Sequence, residues 1–447
     1  MNDITAFFAF LRYSLGKKEN MSRMVAGMDW QELYSFASKQ ALLGLCFEGI
    51  DRLGKEYPEE LRLNPIGKEL LMTWMGKAQQ IRRQNMKVNA VAGKLFAMLR
   101  EDGLRCCILK GQGNALMYPN PYSRTPGDID VWIDASRERI MEYASKKFEL
   151  GDDIRLQHLE TSLDGVPVEL HFFPCSMNNP IYHARLQKWF RRNADLQCSH
   201  IVGLPDEAGD IAIPTTAFNV VYQLTHLYHH FFDEGIGMRQ IIDYFLVVND
   251  FSKNVFLDTD LSNYPVNFSN HPVPLSKEGS TFSPSPSSSG SGDVTAPSRC
   301  SEPLRSKDGG PSKVSPDCAG WDRLGVNGDT TSTALVVVQR ELKYLGLWKF
   351  SGAVMYVLHE TLGLPEEKMI APMDEKRGKL LLAEILNGGN FGRHFTKYGH
   401  FTQQGMAKKY FLKIWRNMHF VRYFPAEALS EPIFRTLHFF WRLKHRR

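Results

Sequence analysis

A series of β-like runs begins at Arg105 in this chain of 447 residues and extends to residue 173, and it limits the fold more than any other feature. CCILK (106–110) is a short β-like run, and IDVWI (129–133) is a second. LQHLETSLDGVPVELHFF (156–173) reads as two strands joined at Asp164-Gly165, a common two-residue hairpin turn. ASRERIMEYASKKFEL (135–150) lies between the second and third runs and has helical periodicity. Strand, helix, strand, helix and hairpin in that order predict a small mixed sheet, with helices packed on one face.

Helical spacing dominates on both sides of this window. Asp29 is placed to N-cap a single helical segment over residues 30–53. Apolar residues at intervals of three and four predict a long helix over 67–102 that stops at Gly103. The helical period returns at Thr215 and runs to about residue 251, then resumes near Ala334. Residues 252–332 show neither period, and STFSPSPSSSGSGDVTAPSRC within them is rich in Ser, Pro and Gly. Such a composition buries too little apolar surface to offset ordering, so a disordered insertion is expected. The expected division is a helical region (1–100), an α/β core (101–205), helices packing on it (206–251), the insertion (252–332) and a helical C-terminal region (333–447). The fold class is therefore α+β.

Composition excludes little beyond this. A net charge of +5 suits a phosphate-bearing ligand and is too small to argue for nucleic acid. No apolar run approaches the roughly 18–20 residues of a membrane span. The first apolar stretch follows Asp3 and precedes Lys17 and Lys18, the reverse of a secretory signal. The seven cysteines form no CxxC pair, which fits a reduced, cytoplasmic chain. Asn267-Phe-Ser carries no weight as a glycosylation sequon in that setting. The C-terminal PIFRTLHFFWRLKHRR mixes aromatic and basic residues. A docked terminal helix is favoured there over contact with a membrane surface or nucleic acid.

The residues that carry chemistry lie in LKGQGNALMYPNPYSRTPGDIDVWI (109–133). Asp128 and Asp130 alternate along an extended run, so they share a face about 6–7 Å apart. Carboxylates at that spacing can hold one or two Mg²⁺ ions, which prefer oxygen ligands. Glu169, inside the strand VPVELHF, is the candidate third carboxylate, and His171 points the same way. Gly111 lets the backbone approach a ligand, the helix start after it offers N–H groups to an anion, and Lys110 and Arg124 add positive charge. The bland alternative is a turn aspartate, a solvated strand aspartate and an edge-strand glutamate.

Other signals are weaker. His226 and His230 sit one helical turn apart, but residue 227 is Leu, so the HExxH zinc motif is absent. Helix packing or hydrogen bonding is the expected role of His226, His229 and His230. Arg239 and Asp243 are expected to form an intrahelical ion pair, with the acceptor side of a cleft as the other placement.

Leu109-Lys110-Gly111, MYPNPYSRTPGDIDVWI and Glu169-Leu170-His171 together resemble the uncharacterised nucleotidyltransferases of the DNA polymerase beta superfamily. The likeness extends to HLYHHFFDEGIGMRQIIDYF and to ILNGGNFG (385–392). It implies Mg²⁺- or Mn²⁺-dependent transfer of a nucleoside monophosphate from an NTP to an acceptor hydroxyl. On that resemblance Asp128, Asp130 and Glu169 hold the metal ions, while Lys110, Gly111, Arg124 and Gly127 meet the nucleotide. Lys110-Gly111 departs from the Gly-Ser usual in that loop. The alternatives are a catalytically degenerate nucleotide-binding or toxin–antitoxin-type protein, and a DxD glycosyltransferase. In the latter, apolar residues usually precede the DxD; here Pro126-Gly127 do.

Overall fold

A computed structural model describes residues 4–150, 155–257, 330–395 and 406–445. Most of the expected insertion and the Asn267 sequon lie outside the described residues, as do the last two residues of the basic C-terminal end.

The N-terminal region is helical: α1 (Ile4–Ser14), α2 (Ser22–Ala26), α3 (Trp30–Lys39), α4 (Leu43–Glu56), α5 (Pro58–Leu63) and α6 (Lys68–Glu101). The Asp29 side chain accepts from the Glu32 N–H and caps α3, as the sequence predicts. The single segment expected over 30–53 is instead broken between α3 and α4, where Ala41 has a φ of 58°. α6 spans 34 residues, about 51 Å at 1.5 Å per residue. It ends where Gly103 takes a φ of 73°, a conformation that costs glycine little.

The core window supplies β1 (Cys106–Leu109), α7 (Gly111–Ala115), β2 (Ile129–Ile133), α8 (Arg137–Lys147), β3 (His158–Leu163) and β4 (Val166–His171). The sheet order is β1-β2-β4-β3; β1 runs antiparallel to β2, β2 parallel to β4, and β4 antiparallel to β3. Asp164 and Gly165 both have positive φ (50° and 72°), the geometry of the turn read from the sequence. β4 is internal, so Glu169 is not on an edge strand. α9 (Pro180–Ser199) follows, then a two-stranded ribbon of β5 (Ile201–Gly203) and β6 (Asp210–Ala212), and then α10 (Thr216–Asp233) and α11 (Met238–Leu257). After the undescribed stretch come α12 (Thr330–Tyr344), α13 (Trp348–Leu362), α14 (Glu375–Gly388), α15 (Met406–Met418) and α16 (Pro425–His445). The architecture is α+β, a small mixed sheet among helices.

Helices cover both faces of the sheet, not one. Ile108, Ile129, Val131, Val168 and Leu170 pack with Val91, Leu95 and Phe96 of α6 and with Ile140 of α8. The alternate residues point the other way, where Cys107, Leu109 and Trp132 join Trp189 and Phe190 of α9 and Phe218 and Tyr222 of α10. Trp189 stacks on Phe218 with ring centroids 4.5 Å apart. Because strand residues alternate in direction, Asp130, Glu169, His171 and His158 fall on this second face, among helices, where water is scarce. α10 is buried nearly all round, as expected of a helix at the centre of a domain. Its Tyr228, Phe231 and Phe232 pack edge-on and tilted against Phe350, Phe420 and Phe424, which joins the C-terminal helices to the core.

Candidate active site

The loop before β2 is fixed at several points. Asn85 of α6 donates to the Tyr122 and Arg124 carbonyls at 3.0 and 2.8 Å. Thr125 Oγ1 donates to the Ala41 carbonyl at 2.8 Å. α4 approaches so closely that a Cβ at Gly44 would overlap the Ser123 carbonyl. A loop tied in this way presents Gly127 and Asp128 at an exposed edge, while Asp130, one residue inside the strand, is only 6 % exposed. Asp130 and Glu169 are direct partners across the β2–β4 pairing.

Each charge on this face has a neighbour that sets its state. Lys110 Nζ lies 3.1 Å from Asp130 Oδ1 and 2.7 Å from His226 Nε2. His171 Nε2 lies 3.1 Å from both Asp130 Oδ1 and Glu169 Oε2. Burial alone would raise the Asp130 carboxyl, but Lys110 and His171 outweigh it and hold it well below the ordinary carboxylate value. Glu169 is likewise pushed up by burial and brought down on balance by its hydrogen bond with His171. Burial disfavours the charged form of His171, yet its two carboxylate partners raise its pKa to about 9. Asp128 goes the other way. The adjacent Asp130 charge first, then desolvation and Glu169, push it up to about 7.

Lys110 has a φ of 52° and ψ of −123°, unusual for a residue with a Cβ and costing about 1–3 kcal/mol. Its contacts to Asp130 and His226 hold it there, and Gly111 follows at a φ of 31°. α7 has only five residues, too short for much of a macrodipole. The positive charge of the site therefore rests on side chains. His226 and His230 are in contact through their Nε2 atoms at 2.9 Å, and burial together with the Lys110 charge keeps His226 neutral. These histidines extend the Lys110 contact as a hydrogen-bonded chain, the role expected of them.

Arg124 is not turned toward an arriving anion. It is 5 % exposed, and Asp243 of α11 grips it through both oxygens at 2.9 and 2.8 Å. Tyr118 donates to the same carboxylate at 2.8 Å. The Arg239–Asp243 pair expected along the helix is replaced by this longer-range one. Arg239 instead donates from Nη1 to the Thr125 carbonyl at 2.9 Å and lies over the Phe391 ring at 5.5 Å. Its buried Nε has no hydrogen-bond partner, and a Cβ at Gly127 would stand 4.0 Å from Nη1. Arg239 is thus the cation beside the Gly127-Asp128 turn. Sequence reasoning gave that place to Arg124.

His158 was missed altogether. It faces His171 across the hairpin, with ring centroids 5.0 Å apart, and its Nδ1 is 3.2 Å from Glu169 Oε2. The signal was present in the sequence. A two-residue turn at 164–165 fixes the mirror pairing, and that pairing sets residue 158 opposite residue 171.

A mixed sheet with two aspartates where one strand begins, and an acid on the parallel neighbour, agrees with the nucleotidyltransferase resemblance of the motifs. The sequence profile of a family described as uncharacterised nucleotidyltransferase matches residues 26–262, just over half of the chain, and the chain belongs to that family. No curated protein and no solved structure matches it. No helix among the described residues is long and apolar enough to cross a membrane.

Proposed function

We propose that this chain transfers a nucleoside monophosphate from an NTP to an acceptor hydroxyl, with Asp128, Asp130 and Glu169 holding divalent metal. The observation that carries the reading is the register of β2 on β4, which sets Asp130 beside Glu169 with Asp128 two residues away. The donor set fits Mg²⁺ or Mn²⁺: it is carboxylate oxygen, and the repulsion that raises Asp128 is what a bound cation relieves. Bound there, the metal neutralises the triphosphate and the charge that develops on it.

The remaining work belongs to side chains. Lys110 and Arg239 attract the triphosphate and stabilise the departing pyrophosphate. The acceptor oxygen bonds to the α-phosphorus, the α–β phosphoanhydride bond breaks, pyrophosphate leaves and the acceptor proton passes to a carboxylate. Glu169 is held ionised by His171 and is partly exposed, which qualifies it as that base.

Incubation of the protein with α-labelled NTPs, divalent metal and a cell lysate tests the reading. Asp128→Asn and Asp130→Asn should each lower label transfer by at least about 10²–10³-fold, the loss on removing one group that stabilises transition-state charge. Variants that keep wild-type transfer would overturn it.

A further inference from the structure

We infer that His158, Glu169 and His171 form a site for a borderline transition-metal ion of the Zn²⁺ and Co²⁺ class. This goes beyond the oxygen-ligand set of the transfer reading and does not rest on it.

The donor atoms of these three residues lie within 4.8 Å of one another. Two imidazoles and one carboxylate, leaving coordination positions open, form a donor set that favours ions binding nitrogen at about 2.0–2.1 Å over Mg²⁺. The hairpin supplies it. β3 and β4 pair so that His158 stands opposite His171, and Glu169, two residues from His171, shares its face.

Two further observations point to a ligand. His158 is 8 % exposed, and neither of its ring nitrogens has a hydrogen-bond partner, although Nδ1 is 3.2 Å from the Glu169 carboxylate. Buried polar groups without partners are uncommon and call for an explanation. His158 also lines a cavity of about 130 Å³ shared with Arg155, Gln157, His229, Asp233 and Arg435. Nε2 of His171 already bridges Asp130 and Glu169, so an ion entering here displaces a proton from it. Glu169 is common to this cluster and to the carboxylate set beside it.

The test uses the full chain, stripped of metal and titrated with Co²⁺. One ion should bind per chain, with visible bands and two strongly shifted, exchangeable ring N–H proton resonances, one for each ligating histidine. About a hundredfold excess of Mg²⁺ should leave the spectrum in place, since imidazole ligands discriminate against it. His158→Gln should remove one shifted resonance and weaken Co²⁺ binding by more than the about 10–100-fold that losing an outer partner costs. Unchanged binding in that variant, displacement by Mg²⁺, or no shifted histidine resonances in the wild type would each overturn the proposal. The last two need no variant to fold. Asp128→Asn should retain the Co²⁺ spectrum. Transfer without Co²⁺ binding would sink this proposal alone, and Co²⁺ binding without transfer would sink the transfer reading alone.

Discussion

Asp128 and Asp130 stand one residue apart and meet opposite fates. Asp130 is buried against Lys110 and His171 and stays ionised, while its charge raises Asp128 to about 7. The unfolded Asp128 titrates near its ordinary value of 3.8. Between that pH and about 7 the folded chain therefore binds more protons than the unfolded one. Through this group alone, stability falls as pH rises across the window. In metal-free protein, Asp128→Asn should raise the Tm relative to wild type, by little near pH 4 and by most above pH 7. Thermal unfolding at a series of pH values checks this, and a Tm difference that stays flat across the window would contradict it. The same contacts explain what the sequence could disclose about the site. The acidic pair, Glu169 and the Lys110-Gly111 turn are short-range patterns and legible. The cation beside Asp128 is not, because Arg239 reaches the Thr125 carbonyl from far along the chain and no periodicity encodes that approach.

Elements divide the work between two arginines. Arg124 ties the loop before β2 to α11 through a buried bidentate pair with Asp243. Removing one partner of such a pair leaves an uncompensated buried charge, so Arg124→Met should lower the unfolding free energy by about 3–5 kcal/mol in urea titrations. Adding Asp243→Leu should recover part of that loss. Arg239→Gln should instead raise the KM for NTP with a smaller effect on stability; equal stability losses in the two arginine variants would contradict this division. The four strands of the main sheet and the hairpin turn were readable because alternation and the Asp164-Gly165 pair are local; the three-residue strands of the β5–β6 ribbon are too short to show alternation. The break at Ala41 was not, since the apolar stripe continues through it. Nor was the second helical layer on the sheet, which depends on where α9 and α10 return after leaving the core window.

At the scale of the whole molecule, Phe251 near the end of α11 and Ala334, Val338 and Leu342 of α12 belong to one core. Residues 258–329, between these two helices, lie outside the described part. The C-terminal helices are integral to the fold. Glu427 of α16 accepts hydrogen bonds from the Asn178 and Asn179 N–H groups at 2.6 and 3.2 Å, and Arg435 reaches Asp233 at 2.9 Å.

The cavity beside His158 has one wall from β3 and its approach and another from Glu431, Phe434, Arg435 and His438 of α16. The matched family region ends at residue 262, so the second wall comes from outside it. A substitution at Phe434 or His438 therefore changes the surroundings of His158 without touching the matched region.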